Sequence, residues 1–152
     1  MAQSALCRLI LCHINLKHTT MKHFTIEELT RSMTAQRLGI DNTPPAEAVK
    51  NLHRLVEQVL DPLREAWGGP IHVNSGYRCL ALNRAVGGAP HSQHMKGEAA
   101  DITVGTRLDN ARLYHLLMQL QLPVDQAINE RDFAWIHVSY GPRHRRQYLA
   151  LR

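Results

Sequence analysis

Three side chains in the second half of the chain, His94, Asp101 and His137, have the types and spacing of metal ligands. Asp101 lies in an alternating segment, 99–104, whose other face is small and apolar, so its carboxylate is expected to point away from the core. His137 lies in a second segment of this kind, 134–140. Two histidines and one carboxylate, from a loop and two strands, predict a three-ligand zinc site with the fourth position left for water, as in catalytic sites.

Hydrolysis at such a metal also needs a general base within reach. Glu130 ends a predicted strand, 124–130, seven residues before His137, and an antiparallel hairpin would bring the two together. Asp132 is nearer in sequence but lies in the turn, and it is the second candidate. Of the remaining histidines, His91 is the nearest competitor as a ligand, but it lacks the spacing to Asp101.

The elements that must position these residues begin with helices. Thr25 and Glu28 form a capping box, which predicts a short helix that stops near Gly39. Apolar residues at spacings of mostly three and four over 49–67 predict a long amphipathic helix, in which Pro62 is a candidate kink.

The rest of the chain predicts a small sheet. Short strands are expected at 71–74, 99–104, 124–130 and 134–140, with helices at 81–86 and 107–121. The last two strands are separated by a short link, which is typical of a hairpin. The predicted fold class is α+β, with N-terminal helices packed on a small, mostly antiparallel sheet.

Composition limits the function classes. A length of 152 residues favours one compact domain, and 44% apolar residues exclude wholesale disorder. The three cysteines, Cys7, Cys12 and Cys79, exclude a disulfide scaffold and a four-cysteine zinc site. The net charge of +5 permits nucleic-acid binding, but aromatic residues are scarce and no recognised binding motif is present, so no nucleic-acid partner is expected. No stretch is apolar enough for a membrane span.

Four strings of residues carry a family resemblance: SGYR at 75–78, NRAVGG at 83–88, SQHMKGEAAD at 92–101 and WIHV at 135–138. With these motifs the chain resembles the zinc D-Ala-D-Ala carboxypeptidases and dipeptidases of peptidoglycan metabolism, which share a fold with the Hedgehog signalling domain. The resemblance runs from Phe24 to about Tyr140. Within this family, the chain most resembles the compact cell-wall peptidases of phages and prophages.

The resemblance implies a role for each matching residue. His94, Asp101 and His137 bind one zinc ion, and Glu130 activates the attacking water. Arg78 receives the C-terminal carboxylate of the substrate or a nearby carbonyl. Ser92 and Gln93, which precede the first ligand, line the cleft.

The chain departs from the family pattern just before the last ligand. Many carboxypeptidases of the family place a histidine or an acidic residue within three positions before it, whereas here Ala134, Trp135 and Ile136 occupy those positions. The role of base therefore falls to Glu130. The histidine that would help to stabilise the oxyanion has no certain counterpart.

The sequence thus predicts a zinc metallopeptidase that cleaves a peptide bond in bacterial peptidoglycan, either as a D-Ala-D-Ala carboxypeptidase or as an endopeptidase of the endolysin kind. The alternative from another class is a non-catalytic zinc-binding module of the Hedgehog type. A third hypothesis, a basic nucleic-acid-binding protein, would show steeply salt-dependent binding with no metal requirement.

The ends of the chain complete the predicted organisation. Residues 1–21 are expected to be a loose leader, with Met1 or Met21 as the start, and 22–142 the zinc peptidase domain. Residues 143–152 are expected to be a basic C-terminal tail. The leader lacks a convincing signal-peptide pattern, so the protein is expected to be cytoplasmic as synthesised and to act at the cell wall if released. It is also expected to be a monomer.

Overall fold

The computed structural model describes residues 21–151, so all of the expected leader except Met21 lies outside the described residues. The α+β class is confirmed. Within this range, no helix is both long enough and apolar enough to cross a membrane. In chain order the elements are α1 Ile26–Thr30, α2 Met33–Leu38, α3 Ala46–Leu55, a π-helical turn Val56–Leu60, α4 Asp61–Trp67, β1 His72–Ser75, α5 Leu80–Ala85, a 3₁₀ helix Gln93–Lys96, β2 Ala99–Thr103, α6 Arg107–Gln119, β3 Gln126–Glu130, β4 Trp135–Ser139 and β5 Gln147–Leu151.

The five strands form one mixed sheet in the order β1-β2-β4-β3-β5. The pairs β1–β2, β2–β4 and β3–β4 are antiparallel, which includes the predicted hairpin, whereas β5 pairs with β3 in parallel. The sheet is therefore mixed rather than mostly antiparallel. The difference comes from β5, because a basic run such as that of 143–152 is typical of a solvated tail rather than of a strand.

The N-terminal helices are more divided than the sequence predicts. Thr25 caps α1 as expected, its hydroxyl accepting the N–H of Glu28 at 3.1 Å. The helix ends at Arg31, whose backbone is extended, and Ser32 caps α2. The break follows from chemistry, since a serine hydroxyl competes with the helical hydrogen bonds and favours a new N-terminus.

The irregularity expected at Pro62 is a π-helical turn between α3 and α4. The N–H of Asp61 donates to the carbonyl of Val56, five residues back. Proline lacks an N–H and its ring crowds the preceding helical turn, and a wider turn relieves that crowding.

The core lies between these helices and one face of the sheet. Leu52 and Leu63 are fully buried, as are Ala100 and Ile102 of β2 and Ile136 of β4. The opposite face of β2 and β4 is therefore turned away from the core, which confirms the predicted orientation of both strands.

Candidate metal centre

Three donor atoms meet on the open face of the sheet: His94 Nε2, Asp101 Oδ1 and His137 Nδ1. Asp101 and His137 are direct cross-strand partners on β2 and β4. The nitrogen atoms lie 3.2 Å apart, and the carboxylate oxygen lies 3.3 Å from His94 and 3.0 Å from His137. A tetrahedral zinc ion with bonds of about 2.0–2.1 Å needs its donors about 3.3 Å apart. The donor set and its spacing therefore fit zinc.

His94 is held so that the correct ring nitrogen faces the cluster. Its side chain is almost fully buried, and its Nδ1 lies 2.7 Å from the carbonyl oxygen of Gly76. A carbonyl can only accept, so Nδ1 donates its proton, and the lone pair of the neutral ring is left on Nε2. Burial lowers the pKa of His94, which favours the neutral form that binds metal.

The backbone around His94 depends on close approaches that only glycine allows. Gly97 ends the 3₁₀ helix with a φ of +72°, and a Cβ there would lie 2.3 Å from the carbonyl oxygen of Ala48. A Cβ at Gly76 would lie 2.1 Å from the carbonyl oxygen of Leu29. The loop that carries His94 is thus packed directly on the N-terminal helices.

The two oxygen atoms of Asp101 have separate partners. Oδ1 faces the two histidines, whereas Oδ2 accepts from a terminal nitrogen of Arg78 at 3.4 Å. Burial alone would raise the pKa of Asp101, but His94 and His137 hold it well below its ordinary value. The carboxylate is therefore ionised at neutral pH and oriented by Arg78.

Arg78 reaches the cleft from the segment that follows β1. Its backbone N–H donates to the carbonyl of His94 at 3.1 Å, which ties the two segments together. The side chain is 14% exposed, and burial lowers its pKa from a very high ordinary value. Its Nε is buried and has no hydrogen-bond partner among residues 21–151.

The hairpin brings Glu130, but not Asp132, to the cluster. Ile128 lies opposite His137, so Glu130, two residues further along β3, shares the face of the sheet that carries His137. Burial raises the pKa of Glu130, and its carboxylate interacts electrostatically with His137 and Asp101. The side chain of Asp132 is 90% exposed and faces Arg107 instead.

These side chains line a cleft of about 560 Å³. Ser92 and Gln93 also line it, and both are partly committed within the protein. The Ser92 hydroxyl accepts the N–H of His94 at 3.3 Å, and Gln93 Nε2 donates to Asp125 at 2.9 Å. His91 lines the cleft but is not one of the clustered donors.

Comparison with known proteins agrees with this geometry. The model of the family described as Peptidase M15 matches residues 22–139, which is most of the chain. The protein belongs to peptidase family M15. The zinc D-Ala-D-Ala carboxypeptidase of Streptomyces albus G is 47% identical over 49 residues, which cover 32% of this chain and only 19% of that relative. The family resemblance seen in the sequence is confirmed, and the expected zinc cofactor is supported.

The M15 domain has cleft residues that the sequence analysis missed. Arg143 and Arg145 lie beyond the matched segment, yet they line the same cleft, as does Trp135 of β4. The basic run was interpreted as a solvated tail because charge runs usually are. Asp125 forms an ion pair with Arg145, twenty residues later in the chain. The sequence alone does not indicate that these two residues pair.

Proposed function

We propose that this M15 protein is a zinc-dependent peptidase that hydrolyses a peptide bond in bacterial peptidoglycan. One observation carries the proposal. Three donor atoms lie at the distances expected around a tetrahedral zinc ion, and the carboxylate of Glu130 lies in the same cleft, on the same face of the sheet. Family membership supports peptidase chemistry. The name of the Streptomyces relative supports the substrate class, although this chain aligns with only 19% of that protein.

In the proposed site, His94, Asp101 and His137 hold one zinc ion. Bound zinc supplies Lewis-acid chemistry, since it polarises a carbonyl and lowers the pKa of water to about 7. Residues behind the proposed ligands fix them, because His94 Nδ1 donates to the carbonyl of Gly76 and Arg78 donates to Asp101 Oδ2. Such outer contacts orient ligands and maintain their basicity.

Glu130 is the proposed general base and acid. Its carboxylate takes the proton of the attacking water and then gives it to the leaving amine. Partial burial suits this role, since it raises the pKa of Glu130 and makes the carboxylate a better proton acceptor than an exposed glutamate. Glu130 also supplies the proton-transfer group that the chain lacks just before His137, because Ala134 and Ile136 cannot transfer a proton.

Arg78 is the proposed anchor for the substrate. A guanidinium can donate hydrogen bonds to a carboxylate or a carbonyl, and Arg78 lines the cleft beside the proposed metal ligands. Pairing with a terminal carboxylate corresponds to a D-Ala-D-Ala carboxypeptidase, and pairing with an internal carbonyl corresponds to an endopeptidase of the endolysin kind. Ser92 and Gln93 complete the wall of the cleft beside the first ligand.

The test is release of free amine from purified peptidoglycan by the protein as prepared, after chelation, and after zinc is restored. We expect hydrolysis to disappear with the chelator and return with zinc. Mass spectrometry of the fragments would then identify the bond. A protein that holds one zinc ion per chain and cuts nothing would contradict the proposal and favour the non-catalytic, Hedgehog-type module.

A further inference from the structure

The cleft has a basic side that the proposed mechanism does not use. Arg143 and Arg145 line it together with Arg78, whereas its lining carboxylates are Asp101 and Glu130. Both carboxylates belong to the metal centre and its base. The two C-terminal arginines therefore present positive charge to whatever part of a substrate lies beyond the reacting bond.

Arg145 is fixed in place by a buried partner. Asp125 is fully buried, and its two oxygens accept from Arg145 Nε at 3.0 Å and a terminal nitrogen at 2.7 Å. The backbone N–H of Arg145 adds a third bond at 2.9 Å. The same carboxylate accepts from Gln93, the neighbour of the first metal ligand. A solvated tail would not need this anchor, which joins the C-terminal segment to the metal centre.

The anchored pair leaves donors for a ligand. With Nε and one terminal nitrogen bound to Asp125, the other terminal nitrogen of Arg145 has no partner among residues 21–151. Arg143, two residues earlier, is exposed, and within the same range no carboxylate lies within ion-pair distance of it. Arg143 and Arg145 thus both line the cleft, and each has guanidinium donors that no residue within 21–151 uses.

We propose that Arg143 and Arg145 form a carboxylate subsite, so that the preferred substrate is a peptide with a free side carboxylate near the cleaved bond. The proposal rests on the proposed peptidase function and specifies its substrate. A guanidinium pairs with a planar carboxylate through two parallel hydrogen bonds, which gives orientation as well as attraction. A peptidoglycan stem offers such a group, the α-carboxylate of its γ-linked glutamate.

The experiment compares two synthetic stem pentapeptides, L-Ala-γ-D-Glu-L-Lys-D-Ala-D-Ala and the same peptide with the glutamate α-carboxylate amidated. Each is assayed with zinc-loaded wild-type protein, Arg143→Gln and Arg146→Gln. Arg146 is the matched control, because it is an exposed arginine of the same segment that does not line the cleft. Both variants remove one positive charge, so a nonspecific charge effect would be equal in the two.

For wild-type protein, we expect amidation to raise KM about five-fold with kcat unchanged, as for one solvent-accessible ion pair. Arg143→Gln should raise KM for the acidic peptide by part of this amount, because Arg145 still contacts the carboxylate, and should leave KM for the amidated peptide unchanged, because that peptide lacks the group that Arg143 contacts. Arg146→Gln should discriminate like wild type. Equal KM values for the two peptides with wild-type protein, or equal effects of the two variants, would overturn the subsite.

Binding separates this proposal from the proposed function. Fluorescence anisotropy of the same two peptides, labelled on the lysine, measures affinity whether or not hydrolysis occurs. If neither these peptides nor purified peptidoglycan is cut but the acidic peptide binds about five-fold more tightly through Arg143, the peptidase function fails and the subsite stands. If both are cut and bound equally, the subsite fails and the peptidase function stands. If neither binds, both fail.

Discussion

Two proposed zinc ligands, His94 and Asp101, each have a hydrogen bond on the side away from the donor cluster. This hydrogen bond orients the atom that would bind the ion. His94 donates through Nδ1 to Gly76, which leaves Nε2 for the metal. Oδ2 of Asp101 accepts a hydrogen bond from Arg78, and Oδ1 lies beside both histidines. Supporting contacts thus hold the proposed ligand atoms of His94 and Asp101 in place, and the proposed ligand set can be tested.

His94→Ala should weaken zinc binding more than 100-fold. Loss of an outer contact alone typically costs about 10–100-fold in metal affinity, and loss of a ligand removes a bond to the ion itself. The measurement is zinc per chain after dialysis against a weak chelator, by mass spectrometry of the metal. His91→Ala is the control, since this histidine lines the same cleft outside the donor cluster and should retain wild-type zinc. Equal zinc loss in both variants would refute the assignment.

Glu130→Gln should lower kcat/KM by about 10²–10⁴-fold and leave zinc binding unchanged. The amide has nearly the same shape but cannot accept the proton of the attacking water, and general acid–base groups contribute rate effects of this size. The measurements are amine release and zinc content on the same sample. Asp132→Asn is the control, because its exposed carboxylate lies outside the cleft and its loss should leave the rate unchanged. Full turnover by the Glu130 variant would show that another group is the base.

Among the elements, the β3–β4 hairpin has the most unusual backbone. Arg131, Asp132 and Phe133 all have φ between 47° and 59°, the left-handed region that non-glycine residues seldom adopt. Side chains of α6 hold this turn: the carbonyls of Arg131 and Asp132 accept from Arg107, and that of Phe133 accepts from Asn110. The turn that places Glu130 is therefore imposed by a neighbouring helix.

Asn110 links this turn to the strand that carries Asp101. The residue is fully buried, and its amide nitrogen donates to the carbonyls of Phe133 at 2.9 Å and Ala134 at 3.2 Å. Its amide oxygen accepts from the Thr103 hydroxyl at 3.1 Å and the Val104 N–H at 2.9 Å. Four hydrogen bonds from one side chain thus fix the end of β2 relative to the hairpin.

Asn110→Ala should destabilise the protein by about 3 kcal/mol. The substitution leaves several polar groups unsatisfied around a buried position, each of which costs about 1–3 kcal/mol, partly offset by relaxation. Urea unfolding at neutral pH measures the change. The control is Asn51→Ala, which removes an exposed hydrogen bond to the carbonyl of Lys96 and should change stability by less than about 0.5 kcal/mol. A similar small change for both variants would contradict the assigned role of Asn110.

The elements also show which features a sequence can predict. Period-two alternation gave the buried faces of β2 and β4, and hence the outward direction of Asp101 and His137, because alternation is a local property. Asn110 was not predictable, because a polar residue in an amphipathic helix normally marks the solvent side. The strand β5 was missed because its parallel partner, β3, is distant in sequence and the adjacent basic run is typical of a tail. The proposed ligands could be recognised from neighbouring residues in the sequence, whereas the contacts that support them join residues that are distant in the sequence.

The C-terminal segment completes both the sheet and the cleft. Strand β5 extends the edge beside β3, and the residues before it form the basic wall of the cleft. The fully buried Asp125 anchors that segment through Arg145. The C-terminal segment is thus part of the folded domain, and its attachment depends on one ionised carboxylate.

This dependence predicts how stability changes with acid. The hydrogen bonds from Arg145 lower the pKa of Asp125 from 3.8 to about 2, and burial opposes the shift. Because the folded-state pKa is the lower one, the stabilisation is complete above pH 4, amounts to about 2 kcal/mol, and is lost as the pH falls through about 2. About 1 kcal/mol of it should be gone by pH 3.

Asp125→Asn should remove this part of the pH dependence. The variant should be less stable at pH 7, and its stability should fall between pH 7 and pH 3 by about 1 kcal/mol less than that of wild type, since asparagine does not titrate. Urea unfolding in the presence of a chelator measures the difference without a contribution from zinc release. Asp132→Asn, at an exposed carboxylate, should keep the wild-type slope. Identical slopes for wild type and Asp125→Asn would show that the ionisation of Asp125 does not hold the C-terminal segment in place.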